Sequence, residues 1–105
     1  MIGLRIEINR FVEEGQPNVV ECAFIDAHGK EHLIVEKVPV VSSGNLNADS
    51  PYPRTSVIAC RVIQTKRLGD SEIVEIDMKL PWSIESIAGQ SCFDVFPEQL
   101  IEFKE

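Results

Sequence analysis

A chain of 105 residues with 44% apolar and 26% charged residues has the make-up of one folded domain, which excludes a disordered or low-complexity polymer. No apolar run is long enough to form a membrane-spanning helix. The net charge of −7 lies wholly in the last third: residues 1–69 hold eight acids and eight bases, whereas residues 70–105 hold nine acids against Lys79 and Lys104. A field of that sign repels phosphate backbones and attracts basic partners.

Period-2 alternation dominates the chain, so strands are expected throughout. Ile2, Leu4, Ile6 and Ile8 alternate with polar neighbours in a first strand, and the pattern slips at Phe11-Val12, where a bulge or strand end is expected. A turn-rich connection, Glu14 to Asn18, leads to a second strand carrying Val20, Cys22 and Phe24 on one face. Asp26-Ala27-His28-Gly29 has the chemistry of a type I turn ending in a left-handed glycine, and should close a hairpin. A third strand is predicted from His32 to Val41, bent or at an edge where Pro39 cannot donate to a ladder.

Ser42 to Thr55 has no periodicity and reads as a long loop. A fourth strand follows from Ser56 to Lys66, apolar on both faces and therefore expected near the middle of the fold. After a hairpin at Lys66–Asp70, the fifth strand points Val74, Ile76, Met78 and Leu80 inward and Ile73, Glu75, Asp77 and Lys79 outward, until Pro81 ends it. Trp82–Glu85 reads as a short strand or loop, and Ser86–Gly89 repeats the earlier turn spelling. Ser91–Phe96 forms a further strand, Phe96–Leu100 one tight helical turn with Pro97 at its start, and Ile101–Phe103 a last short strand. The expected fold is all-β: a small antiparallel barrel of about six to seven strands spanning residues 1–105, with one short 3-10 turn near the C-terminus.

The stretch from Gly89 to Ile101, with Phe96-Pro97-Glu98-Gln99-Leu100 at its heart, resembles the end of an SH3-like barrel. In that fold a strand leads into a single helical turn and a short strand closes the barrel. The aromatic pairs that line an SH3 peptide groove have no counterpart here, so the resemblance implies fold and nothing about function. A six-stranded elongation-factor-type barrel fits the strand count equally well.

Chemistry-bearing residues are sparse. Cys22, Cys60 and Cys92 are odd in number and widely spaced, which suits neither a disulfide framework nor a zinc site, and two of them are expected on inward strand faces. His28 and His32 flank the first hairpin near Asp26 and Glu31, but a metal needs three or four converging ligands. No cofactor motif is present, and the six glycines are isolated turn residues. The start of the chain runs straight into a strand, with no targeting segment, and the expected location is the cytoplasm.

Two features favour binding. The Ser42–Thr55 loop is stiffened by Pro51 and Pro53, and it offers Leu46, Asp49, Tyr52 and Arg54; Tyr and Arg are enriched at binding hot spots. An alternative role for Leu46 and Tyr52 is to pin the loop over an open barrel end. Trp82 reads either as a core plug or as a recognition residue beside the acidic third, where Glu75 and Asp77 share an outward face.

The leading expectation is a non-enzymatic protein-interaction domain that engages a basic protein partner through its acidic third, in the manner of an inhibitor or immunity protein. The alternatives are a small enzyme or ligand-binding barrel using Asp49, Tyr52, Arg54, His28 and His32, a nucleic-acid-binding barrel relying on Arg54, Arg61, Lys66 and Arg67, and an accessory barrel that pairs strand edges with a neighbour.

Overall fold

The computed structural model describes residues 1–42 and 44–103. The strands are β1 (Ile2–Glu13), β2 (Val19–Ile25), β3 (Glu31–Lys37), β4 (Arg54–Leu68), β5 (Ser71–Asp77), β6 (Cys92–Val95) and β7 (Leu100–Glu102). One helical turn, α1 (Val38–Val41), follows β3, and a 3-10 turn at Pro97–Gln99 precedes β7. All pairings are antiparallel, in the order β3-β2-β1-β4-β5-β6. The sheet curls into a half-barrel, and β7 returns to pair with Ile2–Leu4 of β1.

The alternation in the sequence explains the curl. Leu4, Ile6 and Ile8 of β1 face the same interior as Val20, Cys22 and Phe24 of β2, Ile34 of β3, and Ile58 and Cys60 of β4. Val74 and Ile76 of β5 join them with Phe93 and Val95 of β6, and the core is completed by Val38, Val41, Leu46, Met78 and Ile84 from the connections. β1 is long enough to serve two neighbours on one edge, with β7 beside Ile2–Leu4 and β2 beside Glu7–Glu13. The expected slip at Phe11-Val12 is a real irregularity: the β1–β2 register shifts between Ile8 and Arg10 and again between Phe11 and Glu13. Both glycine turns are present, with Gly29 at φ 80° and Gly89 at φ 81°, each closed by a hydrogen bond back to the turn's first residue.

Four local expectations are corrected. The third strand stops at Lys37, because Pro39 sits in the first turn of α1, where its missing N–H is not needed; Ser42 N–H then bonds to Val38 O at 2.9 Å. β4 begins at Arg54, so Arg54 and Thr55 belong to a strand rather than to the loop. Inward alternation on β5 ends at Met78, and Leu80 is exposed, since Lys79 N–H turns back to Asp77 Oδ1 at 2.8 Å. Ile73, outward by alternation, is nevertheless buried. No helix among the described residues is long and apolar enough to cross a membrane.

Gly3 is a packing requirement on the outer face of β1. A Cβ there would fall inside the van der Waals envelopes of Val57 Cγ1 and the Phe103 ring. Gly3→Ala is therefore expected to lower unfolding free energy by about 1–3 kcal/mol in urea titrations, the usual cost of overpacking, whereas Ala at open Gly44 should change it little.

Candidate functional site

The β2–β3 turn carries the most tightly bonded polar group. Asp26, buried, receives the backbone N–H groups of His28 and Lys30 on Oδ1, at 2.9 and 3.0 Å. Its Oδ2 lies 2.7 Å from Nε2 of His32, which is also buried. The His32 ring packs against Phe24 and Phe93, with centroids 5.2 and 4.6 Å away. Burial alone would raise the Asp26 carboxyl, but the hydrogen bonds from His32, Lys30 and His28 outweigh it and hold the group below its ordinary value.

The same turn docks on the edge of β6. Ala27 N–H donates to Asp94 O at 2.8 Å, and His28 Nε2 lies 2.9 Å from Asp94 Oδ2. Lys66 of β4 reaches Asp94 Oδ1 at 2.8 Å and Glu75 of β5 at 3.5 Å, and Gln64 donates to Glu75 at 2.8 Å. These residues form one polar row across β4, β5, β6 and the turn. Hydrogen bonds from His28 and Lys66 lower the Asp94 carboxyl, and the Asp94 carboxylate raises Lys66 in return. The row has charge and order, and it is made of carboxylates, an amide, an imidazole and an ammonium group, with no serine or cysteine among them.

The Ser42–Thr55 segment is pinned rather than displayed, apart from Ser43, which lies outside the described residues. Leu46 is buried in the core, and its carbonyl accepts from Asn18 Nδ2 at 2.8 Å. That removes Leu46 from the surface available to a partner. Tyr52 packs partly against the core and turns its hydroxyl onto Asn47 O at 2.8 Å. Asp49 is exposed in a turn built on Asn47, and Arg54 is exposed opposite Ile8. Leu46 and Tyr52 thus perform the pinning role, while Asp49 and Arg54 remain at the surface.

The structure does not gather the polar set of the enzyme alternative. His28 and His32 lie at the turn end of β3, and the loop with Asp49 and Tyr52 follows its far end. His32 is the second residue of β3, so the rest of that strand, about 17 Å, and then α1 lie between it and the loop. Burial pushes the Cys22 thiol up to about 12, helped by Glu36 and Glu21, and the Cys60 thiol up to about 11, so neither is a nucleophile at neutral pH. Cys92 is exposed. Two open clefts, of about 440 and 390 Å³, lie along β1–β2 and beside residues 15–18, and neither is lined by a histidine. Among the described residues no three metal-ligating side chains converge.

A different surface emerges between β5 and β6. Ile84 is fully buried, and the chain on either side of it exposes Trp82 at 57% and Ile87 at 65%. This segment is held firmly. Ser83 N–H bonds to Lys79 O, Ile84 N–H to Met78 O, Ser86 N–H to Gln90 O, and Ile87 N–H reaches Leu33 O on β3. Ser83 has φ 57°, in the left-handed region that favours glycine, and this reversal sends Ile84 inward directly after Trp82 points out. Leu80 and Glu85 are exposed in the same segment. The sequence marks Trp82 as a core plug or an anchor, whereas Ile87 lies inside a turn whose spelling accounts for it without calling for exposure.

No family model matches the chain, and no curated protein or solved structure matches it either.

Two outcomes are expected from this geometry. A thiol reagent should label one cysteine rapidly in the native protein and three after denaturation; rapid labelling of Cys22 or Cys60 in the native state would contradict the burial described. Because Asp26 and Asp94 have lowered folded-state values, the unfolded chain binds protons more readily near pH 3.8. Stability should therefore be fully present well above that value and fall as pH drops through and below it, and the fall should be shallower in Asp26→Asn and Asp94→Asn.

Proposed function

We propose that this chain is a non-enzymatic protein-interaction domain that works in the cytoplasm and docks a basic partner through the Leu80–Ile87 segment. One observation carries the reading: two large apolar side chains stand in solvent on a segment anchored by a fully buried isoleucine and a set of backbone hydrogen bonds. Ordering costs have been met before any partner arrives, which is the preorganisation that favours tight binding. Tryptophan is among the residue types most enriched at hot spots.

Charge supports the class of partner. The segment lies within the part of the chain that carries the whole acidic excess, so a basic surface would be drawn to it and apolar contact would follow. Glu75 and Asp77, on β5, add to that field; Glu75 is engaged by Lys66 and Gln64, and Asp77 by the Lys79 backbone. An inhibitor or immunity-type role, masking a basic groove on another protein, is the specific form of the proposal. The fold fits an SH3-like barrel in its 3-10 turn and in the short last strand that pairs back to β1. The three free cysteines suit a reducing compartment.

The test is capture from a lysate, followed by binding measurements with the purified partner. Trp82→Ser combined with Ile87→Ser should weaken binding at least about tenfold, as expected for loss of a hot spot, with little change in urea midpoint because both side chains are exposed. Association should slow as salt is added. Equal binding by the double variant, or salt-independent association, would contradict the reading.

A further inference from the structure

Beyond Cys60, β4 leaves the body of the sheet. Its last pairing with β1 is Cys60 with Ile2, yet the strand continues to Leu68 with only β5 beside it. Among the described residues no strand pairs with the other edge of Arg61–Leu68, and every residue there except half-buried Lys66 is exposed. Val62, Ile63 and Leu68 are 42%, 49% and 40% exposed.

The backbone geometry shows which groups are free. Met78 N–H bonds to Ser91 O, so the even-numbered positions of β5 face β6 and the odd ones face β4. Ile73, Glu75 and Asp77 therefore exchange hydrogen bonds with Lys66, Gln64 and Arg61, their partners in the register. Thr65 and Arg67 turn their N–H and C=O groups outward, away from β5. The register shift between Val62 and Gln64 marks a bulge, and beyond it the edge stands clear of β1. Long exposed edges rich in β-branched residues are templates for another strand.

Charge selects the occupant. From Arg61 to Leu68 the strand carries Arg61, Lys66 and Arg67 and no acid. On its paired side β5 answers with acids, Asp77 opposite Arg61 and Glu72 opposite Arg67. The same complementarity on the free side calls for acids again. A second copy of β4 would bring three more bases to the same edge. Paired about Lys66 it sets lysine against lysine, paired about Gln64 it sets Arg61 against Arg67, and of these central registers only the one about Thr65 avoids a like-charge pair.

We infer that the outer edge of Arg61–Leu68 is a strand-addition site for an extended acidic segment of another protein. The added strand runs antiparallel to β4, exchanges hydrogen bonds with Thr65 and Arg67, and sets a carboxylate beside Arg67, which the bulge places on the face opposite Arg61. This site is separate from the Trp82 segment and stands on different observations.

The probe is a synthetic ten-residue peptide alternating glutamate with valine, alongside a control with lysine for glutamate. Amide hydrogen exchange by NMR on the intact chain should show at least tenfold protection of Thr65 and Arg67 with the glutamate peptide and none with the control. Arg67→Glu should reverse that preference, read at Thr65, and Thr65→Pro, which removes an outward-facing N–H, should abolish protection at Arg67. Equal protection by both peptides, or none by either, would overturn the inference. Protection without peptide that grows with protein concentration, together with a dimer in light scattering, would also overturn it in favour of self-pairing.

Discussion

The contact between the β2–β3 turn and β6 holds this fold in shape. A curled sheet that does not close by a continuous ladder needs something else to join its two ends. Here the join is Ala27 N–H to Asp94 O, flanked by His28 on the Asp94 carboxylate. The turn can make that contact because Asp26 fixes its shape from inside, through two backbone N–H groups and His32. Phe24 and Phe93 stand edge to face at 5.0 Å beneath the join and meet the His32 ring, so packing and polar bonding act at one place. Charge that elsewhere would only add solubility serves here to hold strands together.

That fastening accounts for where the surfaces lie. With the turn of the β2–β3 hairpin pulled onto β6, the segment between β5 and β6 comes to rest against β3, where Ile87 N–H finds Leu33 O. This contact covers part of the β3 edge and fixes the display of Trp82 and Ile87. The β4–β5 hairpin runs past the other end of β1, so its free edge is a consequence of strand length: β4 has fifteen residues, and only seven of them pair with β1. The two surfaces differ in sign. The first carries Glu85 and lies in the acidic third of the chain, and Arg61, Lys66 and Arg67 line the second.

Much of the architecture was legible from alternation alone. Leu4, Ile6, Ile8, Val20, Cys22 and Phe24 point as their period demands, and the glycine turns at Gly29 and Gly89 follow from local chemistry. What the pattern misjudged was set by tertiary context. Pro39 reads the same at a strand edge and at a helix start, and only the packing of Val38 and Val41 decides between them. Leu46 in a polar loop looked like a surface anchor, yet one leucine among serines and asparagines is also what a loop needs to pin itself down. Trp82 and Ile84 are two apolar residues two positions apart, and alternation would place them on one face. The left-handed turn at Ser83 separates them, and no serine advertises that conformation.

The account rests on Trp82 standing in solvent within a negative field. Trp82 is the only tryptophan, so its fluorescence reports on that one position. The decisive measurement compares quenching by caesium and by iodide, each normalised to free tryptophan amide, in the isolated protein at low ionic strength, where surface charge is least screened. Efficient quenching by caesium and much weaker quenching by iodide, converging as inert salt is added, is the result predicted. Protection from both ions would place the indole in the core, and equal access by both would remove the acidic field; either result would contradict the account.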